Sequence, residues 1–159
     1  MRTLIPIFLA AAAACHGSAL TMSVVPDTLI GYPGDTVKFF ASLTNTTGSE
    51  VFINSDTFTF AIPGVGNDYP FLNSAPLSLS ANAFWPAFEF LDITIPLGQG
   101  PGTYDGVFTI LGGGSSDYIN VGTADFHVTV DTLSPEPASM VLVGLGLVGA
   151  SLLARRRRL

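Results

Sequence analysis

The chain has 159 residues, of which 48% are hydrophobic and only 11% charged, and its formal net charge is −6. A soluble domain averages about 25% charged residues, so apolar, non-globular segments must accompany whatever domain is present. All twelve acids lie between Asp27 and Glu136, and from Leu20 to Pro137 they face one lysine, Lys38, leaving a charge of −11; phosphate backbones and anionic headgroups are repelled by such a middle, which excludes nucleic acid as a partner.

The length suits one domain with appendages. Cys15 is the sole cysteine, so no disulfide forms within the chain. The other five basic residues are Arg2 and Arg155 to Arg158, one basic tip at each end.

Residues 1–19 read as a secretory signal peptide. Arg2 supplies the positive start, Leu4 to Ala14 the apolar stretch, and small residues follow. The stretch is too short for a stable membrane span. Cleavage after Ala19 places Gly17 and Ala19 at the two small-residue positions. An alternative is lipoprotein processing at Cys15, whose preceding Ala12-Ala13-Ala14 resembles a lipobox without its large aliphatic first residue.

Residues 20–131 are expected to form an all-β ectodomain, a single β-sandwich. Thr36 to Thr44 alternates strictly, with Val37, Phe39, Ala41 and Leu43 on one face, the period-two pattern of a half-buried strand. NTTGSE (Asn45–Glu50) is a turn, and Val51 to Phe60 the next strand. Glu89 to Ile95 puts Leu91, Ile93 and Ile95 on one face. PLGQGPG (96–102) turns the chain. Thr103 to Leu111 then sets Tyr104, Gly106, Phe108 and Ile110 together, GGGSSD (112–117) is a loop, and Val121 to Val130 turns Ala124, Phe126, Val128 and Val130 inward. No stretch has a convincing helical period. Eleven of the twelve phenylalanines and the sole tryptophan lie in this middle, and each buried aromatic is worth ~1.5–3 kcal/mol by area.

Few residues here suggest chemistry. Asp125 and His127, two apart on the last strand, lack a third ligand and read as a solvated face. No EF-hand-type loop is present, and a Ca2+ site split across loops leaves no spacing signature. The odd spacing of Glu89 and Asp92 places the two carboxylates on opposite faces of one strand, against a glycosidase pair. With Cys15 in the leader, His127 as the remaining histidine and no G-x-S-x-G, nucleophilic hydrolysis is not expected. No metal and no cofactor are implied, and the domain is expected not to be an enzyme. Gly144, Gly146 and Gly149 match a dinucleotide fingerprint only formally, because no acid follows. FWPAFEF (84–90) reads as aromatic core, with Trp85 the candidate for stacking on sugar rings. Asn45-Thr46-Thr47 fits a glycosylation sequon and equally a turn.

Residues 132–158 form a tail in three parts. Pro135-Glu136-Pro137 is held extended by its prolines, as a protease or transpeptidase requires. Ala138 to Ala154 is a 17-residue run without charge, a predicted transmembrane helix of ~25 Å, slightly short of a ~30 Å hydrocarbon core. Arg155, Arg156, Arg157 and Arg158 reach toward the interface and stay on the cytoplasmic side. The acidic domain is thereby left outside, N-out and C-in across the inner membrane.

SPEPASMVLVGLGLVGASLLARRRR resembles the PEP-CTERM sorting signal of Gram-negative bacteria, with triplet, span and arginine cluster in order. The resemblance implies recognition at Pro135, Glu136 and Pro137 by an exosortase, cleavage near the triplet, and release to the cell envelope or the extracellular matrix of a biofilm. A permanently anchored single-pass protein is the alternative. GPGTYDGVFTI resembles the tyrosine-corner region of immunoglobulin-like folds, and GDTVKFFASLTNTTG is similar to the second-strand region of bacterial immunoglobulin-like modules. An immunoglobulin-like sandwich is therefore expected, with Tyr104 bonding backbone at a sheet corner. The implied role is structural or adhesive; binding of exopolysaccharide as a carbohydrate-binding module is the alternative.

Overall fold

The computed structural model describes residues 18–63 and 65–132, together with Leu145. Nine strands and one short helix follow in order: β1 (Leu20–Val24), β2 (Thr28–Gly31), β3 (Thr36–Asn45), β4 (Val51–Phe60), β5 (Gly66–Asn67), α1 (Tyr69–Ser74), β6 (Ser78–Leu79), β7 (Phe84–Thr94), β8 (Gly102–Gly113) and β9 (Ile119–Val130). They form two sheets, β1-β3-β7-β5 and β2-β9-β8-β4-β6. All pairs are antiparallel except β2, which runs parallel to β9. The first and second strands thus lie on different sheets, and the chain changes sheet at the cis Val25-Pro26 bond. This is immunoglobulin-type topology: β1, β3, β7 and β5 take the A, B, E and D places, and β4, β8 and β9 the C, F and G places.

The alternation read from the sequence drives this packing. Phe39, Ala41 and Leu43 of β3 are buried, as are Phe108 and Ile110 of β8 and Phe126, Val128 and Val130 of β9. Facing inner surfaces of two sheets interdigitate, here mainly through phenylalanine. Ring contacts run unbroken from Phe60 through Phe126, Phe39, Phe90, Phe108 and Phe71 to Phe88, with centroids 4.9–6.3 Å apart. Tilted and edge-on geometries prevail in this row, as the ring quadrupole favours. Gly106 makes room for it: a Cβ there would lie 2.2 Å from Phe126 Cζ.

The tyrosine corner forms as expected. The Tyr104 hydroxyl donates to Gly100 O at 2.9 Å and accepts from Gln99 Nε2 at 2.6 Å. Four strands and one helix carry no expectation from the sequence: β1, β2, β5 and β6 are short, and six residues of α1 are too few to display a helical period. Pro70 starts α1 in its first turn, where a missing N–H costs nothing, and buried Phe71 plugs it into the core. Asn45 closes β3 rather than opening the turn, and its buried side chain donates to Ser49 O, Leu79 O and Ser80 O. Its Oδ1 accepts from the Thr47 N–H and hydroxyl. A side chain so enclosed is a structural turn anchor, not an accessible glycosylation site.

Candidate functional site

β7 holds the most chemistry, and a bulge decides where it points. Phe39 pairs with Leu91 but Phe40 with Glu89, so Phe90 is the extra residue. A bulge slips the alternation by one. Phe90 and Leu91 therefore both enter the core, and Glu89 and Asp92 come to the same face. This corrects the expectation that they lie on opposite faces. Lys38 Nζ sits 2.8 Å from Glu89 Oε1 and 3.7 Å from Asp92 Oδ1. The hydrogen bond to Lys38 holds the Glu89 carboxyl low, while burial, then the hydrogen bond with Glu89 and its charge, raise Asp92. The same bond to Glu89 raises Lys38. One cation shared by two carboxylates on a half-exposed sheet face acts as a cross-strand staple between β3 and β7.

A second bulge, where Ala41 pairs with Phe88 and Leu43 with Trp85, divides FWPAFEF. Its second half enters the core through Phe88 and Phe90. Its first half stays out, with Phe84 63% exposed and Trp85 37%. Phe40, 42% exposed on β3, adds a third accessible ring, on the outer face that strict alternation assigns it. Its place among Thr36, Lys38, Ser42 and Thr44 in the alternation was the available signal.

A pair of acids lies near α1. Asp56 of β4 pairs with inward-facing Ile110, and its Oδ2 is buried without a hydrogen-bond partner. Burial, reinforced by the neighbouring Asp68 carboxylate, pushes Asp56 up to about 7. The spacing of Asp56 and Asp68 in sequence carries no hint of this, because the β4–α1 connection brings them together. A shallow cavity of about 140 Å3 beside α1 is lined by residues that include Ile53, Phe71 and Leu77, smaller than the ~300–1,000 Å3 usual for ligand pockets.

His127 does not join Asp125. Its Nδ1 lies 2.8 Å from Asp105 Oδ1 on β8, its register partner. Among the described residues no group of three or more His, Cys, Asp or Glu side chains converges.

Both ends of the sandwich matter for the predicted processing. Leu20 is buried and pairs with Asn45, and Ala19 O accepts the Thr46 N–H at 3.0 Å. A protease needs extended, free chain on both sides of its target bond, so a cut after Ala19 requires β1 to be undocked. At the other end, Val130 pairs with Gly31 and Gly102, and the Asp131 N–H donates to Gly31 O at 3.0 Å. The tail leaves there. Cys15, the triplet Pro135-Glu136-Pro137, the predicted span 138–154 apart from Leu145, and Arg155 to Arg158 lie outside the described residues. Among the described residues no helix is long and apolar enough to cross a membrane.

The chain is similar to a family 123 glycoside hydrolase from Clostridium perfringens (TM-score 0.41, 16% identity, 76% of this chain and 28% of that one). It thus spans little more than a quarter of that hydrolase. It is also similar to PapD-like domain 7 of human CEP192 (TM-score 0.42, 11% identity, 86% of this chain and 100% of that one). Neither likeness bears on activity. No curated protein matches the chain. The family model of the PEP-CTERM protein-sorting motif matches residues 135–158. The chain therefore carries that motif immediately after its last strand, which implies an exported protein sorted by an exosortase.

Proposed function

We propose that this chain is a non-enzymatic surface or matrix protein whose acidic sandwich acts by where it is placed. A signal peptide starts export, the tail holds the domain briefly at the inner membrane, and exosortase recognition of Pro135, Glu136 and Pro137 releases it outward. The role of the placed domain is structural or adhesive. The observation that carries the reading is the sorting motif at residues 135–158, which follows a sandwich with an apolar core. Intact-mass analysis of the protein from cells expressing an exosortase tests it. The expected product lacks Arg155 to Arg158; a surface-located chain that keeps them is a permanent single-pass protein, and the release step is wrong.

Exopolysaccharide binding is a second reading, favoured by the exposure of Phe84 and Trp85, consecutive residues of β7, since sugar rings stack on accessible aromatic faces. Retention on isolated exopolysaccharide should fall at least fivefold in a Phe84→Ala, Trp85→Ala double variant, about the effect of one lost contact of 1 kcal/mol. Unchanged retention removes this reading.

A further inference from the structure

Two loops flank the point where the tail leaves: the turn between β2 and β3, and the connection between β7 and β8. They are fastened to each other and to themselves. The Gly34 N–H donates to Ile95 O at 2.9 Å, and the Ile95 N–H to Asp35 O at 2.8 Å. The Tyr32 N–H donates to Asp35 Oδ2 at 2.9 Å, and the tyrosine corner fixes Gly100. The two loops thus form one stiff surface. Leu97 lies across it, with Cδ2 3.0 Å from where a Cβ on Gly34 would stand, and Gly34 has φ +98°, which favours glycine. Leu97 is nonetheless 85% exposed, beside partly exposed Tyr32, in a 96–102 segment without a charge.

The tail is short. Among the described residues Asp131 N is the last backbone atom bonded to another strand, and Pro135 follows four residues later. Four residues reach at most about 14 Å. An enzyme that grips 135–137 as extended chain must therefore bring its surface against this pole of the folded domain.

We propose that the Leu97–Tyr32 pole is a docking surface for the outer rim of the exosortase that takes the tail. Leu97 is the central contact, so the folded domain takes part in its own sorting. The inference rests on the exosortase reading above. The occupant follows from tether length: whatever holds the triplet has the pole within reach, and a preformed ridge with Leu97 open at its crest and the Asp35 carboxylate tied back to the Tyr32 N–H suits a protein rim that can bury the leucine.

The test uses the full chain in cells expressing an exosortase, following loss of the arginine end over time by mass. Leu97→Ser should slow processing about tenfold, the effect of one lost buried aliphatic contact. Leu77→Ser, a control equally open at 84% but beside β6, should process within about twofold of wild type. Inserting six Gly/Ser residues after Thr132 should also slow processing, because it unties the pole from the triplet. A photo-crosslinking side chain at position 97 should capture the exosortase. Wild-type rates in both Leu97→Ser and the insertion variant overturn the proposal, as does faster processing after insertion or a crosslink to lipid alone. A wild-type chain that is never processed instead overturns the exosortase reading itself.

Discussion

Asn45 is the buried polar side chain that most tightly ties separate parts of the sequence together. Its amide and carbonyl meet five partners spread over the β3–β4 turn and the β6 region. Removing one member of a satisfied buried network strands the others. Asn45→Ala should therefore destabilise the domain by about 2–3 kcal/mol, read as a lower urea midpoint with unchanged slope. Asp56 works in the opposite sense, because its protonated form is the one the fold favours. Its folded value of about 7 lies above the unfolded 3.8, so the folded chain holds a proton that the unfolded chain has released. The Asp56 contribution to stability should be complete below about pH 4 and be lost as pH rises through about 7. Lys38, the sole lysine or arginine among the described residues, is engaged by Glu89 and does not offset that charge. Asp56→Asn should remove this component: its melting temperature should lack the decline between pH 4 and 7 and exceed that of wild type at pH 8. A parallel decline in both proteins would mean that Asp56 is ordinary.

At the scale of the element, β7 shows how one inserted residue redirects a strand. Without the bulge at Phe90, strict alternation would leave Phe90 on the solvent face and split Glu89 from Asp92. With it, two adjacent residues fill the core and two acids share Lys38. β8 and β9 show the complementary device, a glycine under a ring. Gly106→Ala would force a methyl group into Phe126, with the Cβ 2.2 Å from ring carbon. Overpacking of this kind costs about 1–3 kcal/mol, and because the ring belongs to an aromatic row, the near-ultraviolet circular dichroism of the variant should change as well. The β5–α1–β6 segment is different in kind. Each piece is two to six residues long, and Phe71 holds it in place by core burial rather than by local propensity.

For the whole molecule, the chain enters at one end of the sandwich, where Leu20 pairs with Asn45, and leaves at the other, where Val130 pairs with Gly31. No cysteine lies between residues 18 and 132, and the two sheets share one aromatic core. Thermal unfolding of the domain should therefore be a single transition whose midpoint a reductant leaves unchanged; two transitions would contradict a common core. The sequence by itself determined the features that depend on local order along the chain. Alternation marked the inner faces of β3, β8 and β9, turn residues marked their ends, Tyr104 marked the corner, and Pro135 to Arg158 marked the sorting motif, which is linear and needs no fold to be read. The tertiary structure alone decided what depends on residues meeting across strands: the slip of β7 that unites Glu89 and Asp92, the burial of Asp56 beside Asp68, and the pairing of His127 with Asp105. It also decided the closure of two loops over the tail's exit. Sequence spacing specifies one strand's faces, but which face wins at a bulge, and which strand lies opposite, is settled by packing between segments far apart in the chain.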